Sequence, residues 1–255
     1  MRCTKIISWN IGGLFSNRDS FLRLAGESGA DFICIQESKA NNQTMETLRP
    51  ERYHVLASES ERSVHQGSAI YYRNEPVLMT RHAPPCISEE GRFQCLDYDD
   101  FCLINAYMPN AGNNKKFLSK KVKSLEWLIS VAKTLDKRKP TIICGDMNVG
   151  RYYKEEVRRK ARNSRSGFTS EEKHLFNQLL DLGFIDVVVH QYPNEGDIVS
   201  YLDNKSGKSD ISDSYRLDYI LVSERLKNQI ISVDILTEYE RHNCKHLPIE
   251  LVISL

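Results

Sequence analysis

Eight polar side chains stand where apolar runs of this chain stop: Asn10, Glu37, Tyr107, Asn110, Asp146, Asn148, Asp218 and His246. The most telling stretch is Ile143-Cys144-Gly145-Asp146-Met147-Asn148, an apolar run closed by a glycine, a carboxylate and an amide. A buried strand would deliver Asp146 and Asn148 to its C-terminal end, and alternation along an extended chain predicts both on one side. One group accepting a proton while the other holds an oxygen suits work on a phosphate. Gly-Asp followed by Asn also makes an ordinary turn, so the weight comes from the other segments. The pooled carboxylates and amides suit one hydrated Mg²⁺, with Mn²⁺ as a substitute, because such an ion keeps most of its waters and takes one or two carboxylates. A base can activate water, and a cation can meet the charge that builds on phosphate oxygens.

These groups meet only if strands bring them to one rim. Lys5 to Trp9 and Asp31 to Gln36 read as buried strands, with Asp19 as the N-cap of a helix between them whose face carries Phe21, Leu22 and Leu24. Segments 53–57, 68–72, 93–96, 101–107, 217–222, 230–236 and 249–253 also read as strands. Phe117 to Leu135 has helical spacing, and Thr169-Ser-Glu-Glu172 is a capping box for a second helix that Gly183 stops. Residues 203–214 read as an exposed polar loop. About ten strands with few helices favour two packed sheets with helices outside over an open parallel sheet.

A chain of 255 residues buries one substantial core, so residues 1–255 are expected to form one domain. Its net charge of +1 gives no argument for nucleic acid, but two local runs do. Arg151 to Arg165 holds five Arg and two Lys against two Glu, and Lys115 to Lys123 holds five Lys and no acid; a solvated face explains such runs equally well. Seven cysteines without a C-x-x-C pair point to a reducing, intracellular compartment and no zinc site. No apolar stretch is long enough to span a bilayer, and no signal-peptide core precedes Asn10, so no membrane is expected.

Ser8-Trp9-Asn10-Ile11-Gly12-Gly13-Leu14, Ile35-Gln36-Glu37-Ser38, Asn105-Ala106-Tyr107-Met108-Pro109-Asn110-Ala111-Gly112, Gly145-Asp146-Met147-Asn148-Val149, Arg216-Leu217-Asp218-Tyr219 and His246-Leu247-Pro248-Ile249 resemble, in order and spacing, the exonuclease III type of apurinic/apyrimidinic endonuclease. That group lies within the endonuclease/exonuclease/phosphatase superfamily. The resemblance covers nearly the whole chain. It implies a four-layer α/β sandwich of two packed mixed sheets, Mg²⁺-dependent cleavage 5′ to an abasic site in double-stranded DNA, a monomer, and a nuclear or bacterial cytoplasmic setting.

By the same resemblance Glu37 would be the main Mg²⁺ ligand, with Asn10 helping to hold the metal or its water. Asp146 would activate the attacking water, Asn148 would bind a phosphate oxygen, and Tyr107 would contact the phosphate or leaving oxygen. Asp218 would hold the tautomer of His246 and raise its pKa, so that a protonated His246 meets the scissile phosphate. Asn110, Lys115, Lys116, Arg162 and Arg165 would grip DNA. With them Lys120, Lys121, Arg158, Arg159 and Lys160 would clamp the backbone without reading sequence.

Two departures stand out. The family carries Ser-Asp-His where this chain has Cys244-Lys245-His246, a change of two charge units. At about 4 Å and an effective dielectric near 20, each unit interaction is roughly 4 kcal/mol, enough to matter. Lys245 either grips a phosphate with altered metal dependence, or repels the cation and leaves a catalytically impaired DNA-binding homologue, or turns to solvent. The stretch from Asp197 to Tyr201 and the position of Tyr215 also differ from the family's aromatic pocket, leaving Ile198 and Tyr215 to wall an extruded sugar. A phosphoesterase acting on RNA is a further alternative, against which the Asn105–Gly112 motif argues.

Overall fold

Two strand–helix–strand crossovers organise the molecule, one in each of two sheets. The computed structural model describes residues 2–61, 66–112, 114–150, 166–194, 198–202, 214–239 and 244–255. In chain order the strands are β1 Cys3–Asn10, β2 Phe32–Gln36, β3 His54–Ser58, β4 Ser68–Tyr72, β5 Leu78–Thr80, β6 Phe93–Asp97, β7 Cys102–Ala106, β8 Thr141–Asp146, β9 Phe184–Asp186, β10 Asp218–Ser223, β11 Ile230–Ile235 and β12 Ile249–Ser254. The helices are α1 Arg18–Glu27, α2 Asn42–Thr47, α3 Pro85–Ser88, α4 Lys115–Asp136, α5 Ser170–Asp181 and α6 Val187–Gln191.

The first sheet runs β11-β12-β1-β2-β4-β3 and the second β5-β6-β7-β8-β10-β9. Each contains one parallel pair, β1 with β2 and β7 with β8, while the other pairings are antiparallel. A parallel pair needs a crossover, which α1 and α4 supply. The C-terminal ends of β1, β2, β7 and β8 therefore open at one rim. The antiparallel neighbours β10 and β12 begin there, and Asp218 at the start of β10 lies in register with Asp146 at the end of β8.

Consecutive residues of the central strands serve different cores, which is why those strands read as unbroken apolar runs. Ile6, Cys34, Ile142, Cys144 and Ile220 pack between the sheets. Ile7, Trp9, Ile33 and Ile35 pack outward against Phe21, Leu24 and Ala25 of α1 and Met45 of α2. Ile143, Tyr219 and Leu221 pack against Leu125, Leu128 and Ala132 of α4 and Leu175, Phe176 and Leu179 of α5. The result is the expected four-layer α/β/β/α sandwich.

A buried amide ladder crosses between the sheets just behind the rim. Gln36 donates to Asn105 Oδ1 at 2.8 Å, Asn105 to Gln94 Oε1 at 2.8 Å, and Gln94 to Ser68 Oγ at 2.7 Å. Asn105 also donates to the carbonyls of Ile35 and Ala69, both at 3.1 Å and both in the other sheet. Orphaning one such buried group costs about 1–3 kcal/mol, so the ladder fixes how the sheets register on one another.

The capping box forms as expected, with Thr169 and Glu172 bonded reciprocally. The N-cap of α1 is Asn17 rather than Asp19, which lies in the first turn. Asn17 does not cap with its side chain; it donates to the carbonyls of Ile11 at 2.8 Å and Gly13 at 3.2 Å, tying down the rim loop. Leu22 points outward and Ala25 takes its place in the buried face. The short strands β5 and β9 and the helices α2, α3 and α6 escaped the sequence reading because none is long enough to show a period. The loop expected at 203–214 lies outside the described residues except for Ser214. Among the described residues no helix is long and apolar enough to cross a membrane.

Candidate active site

The rim encloses a cleft of about 610 Å³ lined by residues of both sheets. Glu37 follows β2, and its neighbours come from the end of β1, the residue after β7 and its own turn. Its Oε2 accepts from the Tyr107 hydroxyl at 3.1 Å and from the Asn10 amide at 3.2 Å, and its Oε1 pairs with Lys39 Nζ at 2.8 Å. The Asn10 amide also donates to Asp146 Oδ2 at 2.8 Å, while its own oxygen is taken by the Gly12 N–H. One amide thus bridges carboxylates from the two sheets. Burial works to raise the Glu37 pKa, but Lys39, His246 and the Asn10 hydrogen bond outweigh it and hold the carboxyl below its ordinary value.

Asp146 ends β8 and is 1% exposed. Asn148 reaches it by a turn rather than by strand alternation: its φ is 52°, in the left-handed region that asparagine tolerates. Its backbone N–H donates to Asp146 Oδ1 at 2.8 Å, and its side chain donates to Asp146 Oδ2 at 3.1 Å and to the Met108 carbonyl at 3.0 Å. Burial, reinforced by the nearby Asp218 charge, pushes the Asp146 carboxyl up to about 7 against the pull of His246, Asn10 and the Asn148 N–H. Such a value suits a base working near neutrality.

His246 Nδ1 meets Asp218 Oδ2 at 2.8 Å. The Ser200 hydroxyl donates to the same oxygen at 2.6 Å and accepts from the Leu217 and Asp218 N–H groups, locking the carboxylate in place. Burial alone would depress the imidazole pKa, but Asp218, then Asp146 and Glu37, override it and raise His246 to about 9. The imidazole is therefore a cation at neutral pH.

The Arg216-Leu217-Asp218-Tyr219 motif resolves into four jobs. Arg216 makes a buried two-pronged pair with Asp186 at 3.0 and 2.8 Å, Leu217 lines the cleft, Asp218 faces His246, and the Tyr219 hydroxyl bonds the Val149 carbonyl at 2.6 Å.

One wall is aromatic. Tyr201 stacks on Tyr215 with centroids 5.1 Å apart, Phe168 meets Tyr215 edge-on at 5.5 Å, and Tyr201 meets His246 edge-on at 4.9 Å. Ile198 does not belong to this wall; it packs against the core between the sheets, and Tyr201, Phe168 and Leu217 take the place expected of it. Lys245 lines the same cleft, its ammonium 5.8 Å from the Tyr201 ring centroid.

Asn110 lines the cleft and turns its oxygen to the Gly112 N–H at 2.9 Å. Lys115 and Lys116 are exposed in the first turn of α4, beyond the cleft lining. Two neighbouring lysines do not face solvent as a clamp would need. Lys120 pairs with Glu90, and Lys121 is fully buried against Glu172. Arg162 and Arg165, with Arg158, Arg159 and Lys160, lie outside the described residues.

Sequence reasoning missed Lys39, Ser200 and the burial of Lys121. Lys39 carried a usable signal, two residues beyond Glu37; Ser200 carried none. An oxygen-rich donor set suits a hard divalent cation. Asp146, Asp218 and His246 place one donor atom each within 4.8 Å, and Asp218 Oδ1 is buried without a hydrogen-bond partner among the described residues. Because His246 and Asp218 already satisfy each other, Glu37, partly open to the cleft, with Asp146 beside it, fits the cation better.

Strand ends presenting acid, amide and imidazole in one cleft suit the hydrolysis of phosphate esters. The chain belongs to the endonuclease/exonuclease/phosphatase family, whose model matches residues 7–239. It is 31% identical over 98% of its length to the full exodeoxyribonuclease of Bacillus subtilis. It is 29% identical, again over 98%, to a DNA-(apurinic or apyrimidinic site) endonuclease of Dictyostelium discoideum, covering 71% of that protein. Among solved structures, an AP endonuclease from Archaeoglobus fulgidus superposes with a TM-score of 0.84 at 24% identity, covering 99% of this chain and all of that one. A 3′ phosphatase from Neisseria bound to a product DNA hairpin gives 0.88 at 19% identity, with the same coverage. The protein is a phosphodiesterase of the nuclease type.

Proposed function

We propose that this protein is a Mg²⁺-dependent DNA repair nuclease that hydrolyses the phosphodiester 5′ to an abasic site in double-stranded DNA, leaving a 3′-hydroxyl. The observation that carries this reading is Asp146, a buried carboxylate near neutrality, set between the Asn10 and Asn148 amides and across from an imidazolium. Asp146 takes the proton of the attacking water as oxygen adds to phosphorus. Asn148, once the phosphate displaces its present partners, donates to a non-bridging oxygen, and His246 meets the charge that builds there. The P–O3′ bond breaks, and the departing oxygen takes a proton from solvent to become the 3′-hydroxyl while it accepts a hydrogen bond from the Tyr107 hydroxyl, whose pKa burial and the adjacent Glu37 charge raise, so it stays a donor. Glu37 would hold the cation, which supplies Lewis-acid stabilisation of phosphate oxygens. Asn10 orients Glu37 and Asp146 by donation.

The wall of Tyr201, Tyr215, Phe168 and Leu217 supports an extruded abasic sugar as the preferred occupant, because apolar contact offsets the few kcal/mol of unstacking. Asn110, Lys115, Lys116, Arg162 and Arg165 are the proposed backbone grips, and Lys245 grips a phosphate near His246. Exonuclease or 3′-phosphatase work at the same centre fits the same chemistry. Residues 1–255 would act as one domain and one monomer, in a nucleus or bacterial cytoplasm; the buried free thiols fit a reducing setting.

The test is a duplex with one tetrahydrofuran abasic analogue, incubated with Mg²⁺ or with EDTA. The expected product is a Mg²⁺-dependent nick 5′ to the analogue with a 3′-hydroxyl. Tight binding without a nick would overturn the reading in favour of an impaired DNA-binding homologue.

A further inference from the structure

Among the described residues, the proposed chemistry leaves two buried cations unused, Arg216, which is paired with Asp186, and Lys121. Lys121 of α4 has no solvent-exposed side-chain surface, and neither has Glu172 of α5, its partner at 2.5 Å. The same ammonium donates to the Asn148 carbonyl at 2.5 Å. Glu172 in turn accepts from the Gly167 N–H through both oxygens at 2.9 Å, and from the Thr169 hydroxyl at 2.7 Å. A buried ion pair is weak grounds for stability, since apolar residues of similar size often do as well. What apolar residues would not supply is the donor on Asn148 and the acceptor on Gly167.

Those two contacts join the segments that make up one side of the cleft. The Gly150 N–H donates to the Gly167 carbonyl at 2.8 Å. A Cβ on Gly167 would stand 2.7 Å from the Asn148 oxygen, and one on Gly150 would stand 2.3 Å from the Phe168 ring. The catalytic turn and the 166–169 segment are thus pressed together with no room for a side chain between them. Asn148 holds a left-handed φ of 52°, a conformation that asparagine tolerates and that these contacts hold in place.

We infer that the Lys121–Glu172 pair is a positioning device that fixes the Asn148 side chain and the Phe168 wall in one relation to each other. The inference rests on the nuclease reading above. Lys121 touches no substrate; it acts through Asn148. Glu172 acts through Gly167 and Phe168. The pair therefore governs turnover and substrate choice together, by setting one end of the cleft as a single block.

The test is the double variant Lys121→Met/Glu172→Gln. It removes both charges while keeping volume and an acceptor for Gly167, so neither partner is left as a lone buried charge. Expected are a kcat lower by roughly 10- to 100-fold, the scale of a 1 Å misplacement, and a KM changed by no more than about threefold. The ratio of incision at tetrahydrofuran to removal of a normal 3′-terminal nucleotide should shift as Phe168 moves. In ¹⁵N spectra of the metal-free protein the Asn148 side-chain amide resonance should move or broaden. A merely structural pair would lower the melting temperature and leave kcat per folded molecule, that ratio and that resonance where they were; this result overturns the inference.

If the wild-type protein fails to cut DNA, the nuclease reading falls on its own account. The Asn148 resonance still decides the positioning claim, upheld if it moves and overturned if it does not. Lys121→Leu/Glu172→Gln gives the same readouts should the first pair of substitutions prevent folding.

Discussion

Two turns at the same rim, Glu37-Ser38-Lys39 and Asp146-Met147-Asn148, solve one geometric problem in opposite ways. Both use left-handed backbone at non-glycine residues, with φ of 53° at Glu37, 48° at Lys39 and 52° at Asn148. The second turn is braced on every side. Asp146 and Asn148 are 1% and 7% exposed, Lys121, Met108 and Asn10 all hold them by hydrogen bonds, and Gly167 packs closely against the Asn148 carbonyl. The first is more open: the Glu37 and Lys39 side chains are 24% and 37% exposed, pair with each other and line the cleft. The difference suits their tasks. A base must keep its distance to a reacting water, whereas a carboxylate that loads and releases a hydrated cation must remain accessible.

The comparison can be broken experimentally. Asp146→Asn should remove a braced base and slow single-turnover incision on the order of 10³-fold at any Mg²⁺ concentration. Rescue by excess metal would erase the distinction between the turns. Gly145→Ala strikes the brace itself, because a Cβ there would lie 1.9 Å from the Ala106 carbonyl oxygen at a φ of 138°. A loss of more than about 3 kcal/mol is expected by chemical denaturation.

Glu37→Gln belongs to the open turn and should be curable: incision should need roughly 10- to 100-fold more Mg²⁺ but approach the wild-type rate once supplied. The pH dependence of incision sharpens the contrast further. Asp146 must lose its proton, so the rate should climb as pH rises through about 7; His246 must keep its proton, so it should fall as pH passes about 9. His246→Gln should remove the falling limb and leave the rising one. Lys245→Ala carries the smallest effect, a weaker grip on DNA with the slope of log affinity against log salt reduced by about one.

The fold was legible because its central strands are buried on both faces. Runs such as Ile6-Ile7 and Ile142-Ile143 announce themselves through unbroken apolarity, and the polar residue that ends each run marks the rim. Elements without a period, such as β5 and α6, gave no such signal. Motif residues Glu37, Tyr107, Asp146, Asn148, Asp218 and His246 were readable and do converge. What could not be read was direction and burial. Lys120 and Lys121 are adjacent in a basic run, yet one is a half-buried partner of Glu90 and the other is sealed between α4 and α5. Likewise Ile198 and Tyr201 belong to one short stretch, and only the second faces the cleft.

The polar chain from Gln36 through Asn105 and Gln94 to Ser68 has a corollary for how this molecule can vary. Each link shares its donors or acceptors with buried groups of both sheets, so a lone substitution anywhere along it strands a donor or acceptor in a dry interior. Replacing all of them with aliphatic residues would leave the halves cohesive yet free to settle at more than one mutual offset, and the gap between Glu37 and Tyr107 would blur with it. The lock that aligns the chemistry therefore sits behind the cleft, in groups that no substrate ever meets.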